Sequence, residues 1–256
     1  MALFDDVFNK ASIYEMLFFN VKTVLIHPTL NDLEANNKPL FERWKYLSKE
    51  KYADADITQA TYEKNAPYYA EFSKIVAITY ATLYSESGSL KRYFKKIVNV
   101  DEFIVIEQFF DVLHQLSSDG VKSQPQYFPM LCGHNIISSD IPILIKRFLV
   151  YKDKFDSNKK IPLILKRSLS AKPWESGIID VVNVWKFNGY DNMPLMLIAD
   201  YLGLKKTIDL LPLDELSKYY WDNINDKPEE TLEYISLQSA TQTNLVIQLM
   251  NELRQL

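Results

Sequence analysis

The residues best suited to chemistry cluster near the middle of the chain, where Cys132, His134, Asn135 and Asp140 lie close together. Carboxylates are the ligands that hard divalent cations such as Mg²⁺ prefer. The single cysteine cannot make a structural zinc site by itself, and the whole chain has three histidines that could help it, so we do not expect a zinc site. Another interpretation stays open, because His134 and Asn135 also suit a turn after a buried strand and Asp140 suits a helix N-cap.

A second polar pair interrupts the apolar run Tyr14–Leu25. Asn20 and Lys22 stand two positions apart, so they face the same side if the run is a β-strand. A buried lysine is costly unless it is paired. We therefore expect Lys22 to face a polar site, and an ion pair would form if the fold places it near Asp140.

Composition excludes several classes of protein. The chain has 256 residues, of which 47% are hydrophobic, and a net charge of -4. This content predicts a folded chain, and no stretch of about eighteen apolar residues could span a membrane. The first residues lack the basic start and apolar run of a secretory signal, so we expect a cytoplasmic protein with no membrane partner. The acidic balance argues against broad attraction to polyphosphates, so any nucleic-acid site must be local.

Hydrophobic periodicity predicts the elements that would position these residues. Strands are expected at 14–25, 74–82, 90–98 and 130–133, the first three as a meander. Helices are expected at 101–116, 141–151, 181–187, 195–202, 213–223 and from Pro228 to the end of the chain. The polar segment 28–67 is predicted to be an excursion containing one helix. This order predicts an α/β fold in which a mixed sheet carries helices on both faces, and residues 1–256 are interpreted as one domain.

An ordered set of motifs resembles the predicted 3'-5' exonucleases related to the exonuclease domain of family B DNA polymerases. These enzymes belong to the DnaQ-like branch of the ribonuclease H-like fold, and the resemblance spans most of the chain. The matching segments are Asn20–Thr23, Tyr68–Val76, Cys132–Asn135 with Asp140–Pro142, Lys172–Glu175, Asp180 with Trp185–Phe187, and Leu202–Leu204.

The resemblance implies two-metal phosphodiester hydrolysis with Mg²⁺ or Mn²⁺ held by four carboxylates. The family's Asp-x-Glu pair on the first strand corresponds here to Asn20 and Lys22. Asp140 retains the third acid, five residues after Asn135. The fourth, in a Tyr-x-x-x-Asp motif that starts here at Tyr234, corresponds to Gln238.

The degenerate site is therefore expected to hold no metal or other cofactor. Its charges sum to zero, because Lys22 offsets Asp140 while Asn20 and Gln238 are neutral. The family is enzymatic, but we expect no intact catalytic residues and no activity from this chain.

Three functions stay open. The first is a pseudo-exonuclease that binds single-stranded nucleic acid or a protein partner without hydrolysis. The second is an active exonuclease using replacement acids, for which the nearest candidates are Glu15, Asp180, Asp209 and Glu233. The third is a protein-interaction subunit that binds no nucleic acid.

Two basic stretches could guide a nucleic-acid backbone, although solvated surfaces would explain them equally. The first comprises Lys91, Arg92, Lys95 and Lys96, and the second comprises Lys154, Lys159, Lys160, Lys166 and Arg167.

Overall fold

The computed structural model describes residues 13–53, 57–118, 129–156, 160–170, 177–187, 189–190 and 192–255. The chain forms an α/β structure with five strands and ten α-helices among these residues. In chain order the elements are β1 (Met16–Leu25), α1 (Leu30–Asn36), α2 (Lys38–Tyr52), α3 (Gln59–Asn65), β2 (Ser73–Glu86), β3 (Ser89–Val98), α4 (Glu102–Ser118), β4 (Met130–Gly133), α5 (Asp140–Tyr151), α6 (Leu163–Ser170), β5 (Ile178–Asp180), α7 (Val181–Trp185), α8 (Leu195–Leu202), α9 (Leu213–Asn223) and α10 (Pro228–Leu253).

The strands form one mixed sheet in the order β3-β2-β1-β4-β5. The pairs β1–β2 and β2–β3 are antiparallel, which confirms the predicted meander, whereas β4 pairs with β1 and β5 in parallel. Helices cover both faces, as the sequence predicts. The architecture is compatible with a ribonuclease H-like fold.

The central strand β1 is buried along its whole length because helices pack against both of its faces. On one face, Leu17 and Phe19 join the core formed with α4, α5 and α6. On the other face, Met16 and Phe18 join the core formed with α7, α8 and α10. Strand alternation places Asn20 on this second face, beyond Phe18 and in line with Lys22.

A buried ion pair ties α4 to α5. The Arg147 guanidinium donates to both carboxylate oxygens of Glu102, with its Nε 2.9 Å from Oε1 and 3.0 Å from Oε2. The same carboxylate accepts the Ile75 backbone N–H at 2.6 Å. This contact fixes the start of β2 relative to both helices, and no sequence pattern indicated it.

The excursion 28–67 differs from its prediction, because it contains three α-helices instead of one. Thr29, Asn37 and Thr58 each accept a backbone N–H of the following helix, so each supplies an N-cap that periodicity does not detect. The excursion has its own core, in which Trp44 contacts Tyr62 edge to face.

Two further elements were absent from the prediction: the short strand β5 and the helix α6. A strand of three residues is too short to show a period. The motif segment Lys172–Glu175 lies outside the described residues.

Candidate functional site

Asp140 lies against the middle of β1, at the first residue of α5. Its Oδ2 accepts the Val21 backbone N–H at 3.2 Å and the Asn20 Nδ2 at 3.3 Å. Ser139 precedes it at the N-cap position, so the interpretation of Asp140 as an N-cap is wrong. The carboxylate joins a helix to a strand because it points away from the helix's own free amides.

The Asp140 carboxyl has a raised pKa, and burial is the main cause. The side chain is 4% exposed, and burial raises its pKa from 3.8 to about 7. The Val21 hydrogen bond and the charge of Lys22 oppose this rise, whereas the charge of Asp180 adds to it. The carboxyl therefore keeps its proton to a higher pH than an exposed aspartate does.

Lys22 lies beside Asp140 but bonds to a different residue. Its Nζ donates to Gln242 Oε1 of α10 at 2.5 Å. Burial lowers the pKa of Lys22 to about 8, and the charge of Asp140 partly offsets that shift. Among the described residues the two charges form no direct ion pair. The predicted proximity is thus present, whereas the predicted pairing is replaced by an amide contact.

Helix α10 presents a different residue to β1 from the one that the motif indicates. Gln238 donates to Tyr234 Oη and the Asp209 carbonyl, each at 3.0 Å, and accepts the Leu211 N–H. It therefore holds the segment before α9, and no hydrogen bond joins it to Asp140. Tyr234 also packs on the Tyr219 ring at 4.4 Å.

The residues of α10 that meet the polar part of β1 are Gln242 and Ser239. Ser239 Oγ donates to the Asn20 carbonyl at 3.1 Å. Sequence reasoning missed both residues, because they carry no charge and belong to no motif. A helical period starting at Gln238 would have reached Gln242 one turn later.

Asp180 organises the turn between β4 and α5. Its carboxylate accepts the backbone N–H groups of Asn135 at 2.8 Å, Ile137 at 3.1 Å and Val182 at 3.1 Å. Asn135 adopts a positive φ of 62°, which asparagine tolerates better than most residues. Both residues therefore have structural roles in this turn.

His134 and Cys132 are also occupied by the fold. His134 Nε2 lies 3.1 Å from the Met193 carbonyl, and burial lowers the pKa of the imidazole, with a smaller contribution from the charge of Lys22. Cys132 is completely buried, and burial raises the pKa of its thiol well above the usual value. A thiol in that state is a poor nucleophile.

The first basic stretch is divided between the two faces of β3. Arg92 donates to Asn244 of α10, and Lys96 forms an ion pair of 2.7 Å with Glu233. Lys91 and Lys95 point to the opposite face because strand side chains alternate. The four residues therefore do not form one cationic patch.

Three lysines of the second basic stretch, Lys154, Lys160 and Lys166, lie in the part of the chain that is described. Lys154 lies over the Phe103 and Tyr151 rings, with Nζ at 5.8 Å and 5.2 Å from their centroids. The Lys160 carbonyl contacts His114. Lys166 is exposed. Lys159 and the side chain of Arg167 lie outside the part of the chain that the structure describes.

The four replacement acids are scattered. Glu233 pairs with Lys96, and Asp209, which is 81% exposed, pairs with Lys206 at 2.9 Å. Glu15 lies in a 3-10 turn just before β1. Of the four, Asp180 alone influences Asp140 electrostatically, and backbone amides occupy its oxygens.

The site residues do not fit a pair of Mg²⁺ or Mn²⁺ ions. Asn20, Lys22 and Asp140 supply one carboxylate, one amide and one ammonium, whereas two hard dications need several anionic oxygens. No group of three or more His, Cys, Asp or Glu side chains in the described residues could hold a metal ion. The amide oxygen of Asn20 is buried without a hydrogen-bond partner there, but a neighbouring ammonium disfavours a cation.

Comparisons with known protein families, curated proteins and solved structures give no match to this chain. The exonuclease resemblance therefore stays a prediction that rests on motifs. No described helix is long and apolar enough to cross a membrane.

Proposed function

We propose that this chain is an exonuclease-like domain that does not hydrolyse phosphodiesters and instead binds nucleic acid or a protein partner. One observation supports this most directly: the Lys22 ammonium is buried beside Asp140 and held by Gln242. In the exonuclease family the position of Lys22 carries a metal-binding glutamate. An ammonium there repels the cation that the family's chemistry requires.

Charge supports the same conclusion. Four carboxylates can be balanced by two dications. By contrast, Asn20, Lys22, Asp140 and Gln238 together carry no net charge when Lys22 and Asp140 are both ionised. Since the Asp140 pKa is about 7, part of the population loses even this negative charge at neutral pH. The cluster therefore offers little electrostatic attraction to Mg²⁺ or Mn²⁺.

Burial also argues against turnover. Asn20, Lys22 and Asp140 are 3%, 5% and 4% exposed, and α10 contacts two of them through Gln242 and Ser239, so a scissile phosphate would have little access to this cluster. A two-metal site must contact both the attacking water and the leaving oxygen. A covered, self-balanced cluster instead suits a structural role.

The replacement-acid alternative receives less support. Asp180 is the one candidate near Asp140, and three backbone N–H groups already bind its carboxylate. Releasing it for a metal would leave those amides without partners.

The decisive experiment is a nuclease assay on single-stranded DNA, duplex DNA and RNA with Mg²⁺ or Mn²⁺. We expect no turnover. Hydrolysis that Asp140→Ala abolishes would contradict the proposal.

A gain-of-metal variant provides a second test. Asn20→Asp combined with Lys22→Glu would add two carboxylates beside that of Asp140, which makes three. We expect Mn²⁺ to raise the melting temperature of this variant, since a ligand at about 100 times its Kd stabilises by about 2.7 kcal/mol. An equal Mn²⁺-induced shift in the unmodified protein would argue that its cluster already binds metal.

A further inference from the structure

The β2–β3 hairpin carries aromatic and basic side chains on one face. Strand β3 keeps a regular antiparallel register with residues 77–86 of β2, so cross-strand partners share a face. We call this surface the tyrosine–lysine face, and its cross-strand pairs are Tyr84–Lys91, Thr82–Tyr93 and Tyr80–Lys95.

Two of the tyrosines are exposed and one anchors the face. Tyr84 is 46% exposed and Tyr93 is 51% exposed. Tyr80 is buried, with its ring 6.1 Å from Phe109 of α4 and 6.3 Å from Tyr93. A side-chain hydrogen bond between Tyr80 and Tyr93 adds to the ring contact. The Tyr93 ring is therefore held in place while part of its surface stays open to solvent.

The lysines of this face are free of ion pairs within the described residues. Lys91 and Lys95 are both exposed. They are four positions apart along β3, which corresponds to about 13 Å, with Tyr93 midway. Glu86 lies on the same face at the tip of the hairpin, so the face keeps a net positive charge. The opposite face differs, because Arg92 and Lys96 are bonded to α10.

We infer that the tyrosine–lysine face binds single-stranded nucleic acid, an inference that rests on the proposed binding function and specifies its ligand. Exposed rings between cations suit a ligand with stacking bases and a phosphate backbone, and each stacked base contributes sequence-tolerant affinity. Paired bases in a duplex do not offer their faces to such rings. The ligand that fits this face is therefore single-stranded.

Two other occupants fit less well. An acidic peptide would satisfy the lysines but would leave Tyr84 and Tyr93 without stacking partners. A second copy pairing antiparallel along β3 and centred on Tyr93 would set Lys91 opposite Lys95, and like charges directly opposite each other destabilise a sheet.

The test measures binding of the full chain to fluorescein-labelled oligothymidylate and oligouridylate by fluorescence anisotropy. Probes of about 20 nucleotides exceed the usual site of about 4–16 nucleotides. We expect salt-dependent binding to both probes. Neutralising two phosphate contacts with Lys91→Gln and Lys95→Gln should reduce the slope of log K against log salt by about 1.4.

The matched charge control is Arg92→Gln with Lys96→Gln, which removes the same charge from the opposite face and should leave that slope close to the original. Tyr93→Leu should weaken binding about 5- to 150-fold, the range for loss of one stacked base. Tyr84→Phe should bind like the original protein, because it retains the ring.

Four results would overturn the inference: no binding at low salt, an equal loss of binding in the Lys91/Lys95 and Arg92/Lys96 double variants, no effect of Tyr93→Leu, or equally tight binding of polyglutamate. A concentration-dependent dimer that Lys91→Glu strengthens would assign the face to a second copy instead. Failure here leaves the proposed lack of hydrolysis intact, whereas nuclease activity would contradict that proposal without altering this binding site.

Discussion

The buried Lys22 should produce a stability change at alkaline pH that the variant Lys22→Met lacks. Burial places its pKa at about 8 in the folded protein, below the ordinary 10.5. Below pH 8 the lysine is protonated in both states, and the folded state carries the full desolvation penalty. Between pH 8 and 10.5 only the unfolded state binds the proton, so the free energy of unfolding rises with pH.

The size of the rise follows from the two pKa values. The difference is 10.5 - 8 = 2.5 units, and each unit corresponds to about 1.36 kcal/mol. The folded protein should therefore gain about 3 kcal/mol over this window relative to Lys22→Met. The side chain is 5% exposed, so solvent screening reduces this value little. The window also lies above the Asp140 pKa of about 7, which limits interference from that group.

Urea denaturation at several pH values between 8 and 10.5 measures the effect. The quantity of interest is the difference in unfolding free energy between the two proteins, because titrations common to both cancel. Lys91→Met is the matched control. Because Lys91 is exposed, we expect the difference in unfolding free energy between this variant and the original protein to stay constant over the same pH range. If Lys22→Met keeps the original pH dependence, the ammonium reaches water in the folded protein and the prediction is contradicted.

Three further perturbations test the surrounding structure. The original protein should lose up to about 4 kcal/mol of unfolding free energy between pH 4 and 7, because the Asp140 pKa is about 7 in the folded state against the ordinary 3.8. Asp140→Asn should not show this loss. Denaturation of both proteins at pH 4 and 8 measures it, and equal changes in the two would contradict the prediction. Arg147→Met should cost about 3–5 kcal/mol by leaving a buried carboxylate unpaired, whereas Lys146→Met, which breaks an exposed pair one residue away, should cost about 0–1 kcal/mol; similar urea midpoints for the two variants would refute the difference. Gly133→Ala should lower the melting temperature, because its Cβ would overlap the Ile136 side chain and lie 2.8 Å from the Phe19 carbonyl, and overpacking costs about 1–3 kcal/mol; an unchanged midpoint would show that the turn after β4 can relax.

Elements that bury an apolar face over many residues were predictable. β1, β2, β3, α4, α5 and α10 all lie where their periodicity predicts, with ends within a few residues. The short strand β4 and the helices α7, α8 and α9 were also predicted, whereas β5, α6 and two of the three excursion helices were not. Strand β5 is ordered by its parallel pairing with β4, and the excursion helices begin at caps that have no hydrophobic period.

The basic residues of β3 were likewise predictable in part. Alternation along β3 implies that Arg92 and Lys96 share one face and that Lys91 and Lys95 share the other. Which face remains free depends on where α10 packs. That helix lies far along the chain, and it supplies Glu233 and Asn244 to one pair alone.

At the polar cluster, the sequence by itself determined that Asn20 and Lys22 face one side of a buried strand, because side chains of a strand alternate. The tertiary structure decided what meets them. The packing of the apolar residues of α10 against the sheet sets where each turn of the helix lies. Gln242 therefore meets Lys22, whereas Gln238, one turn earlier on the same side of the helix, meets the segment before α9. The pKa values followed from burial, which depends on contacts between distant segments and not on residue type.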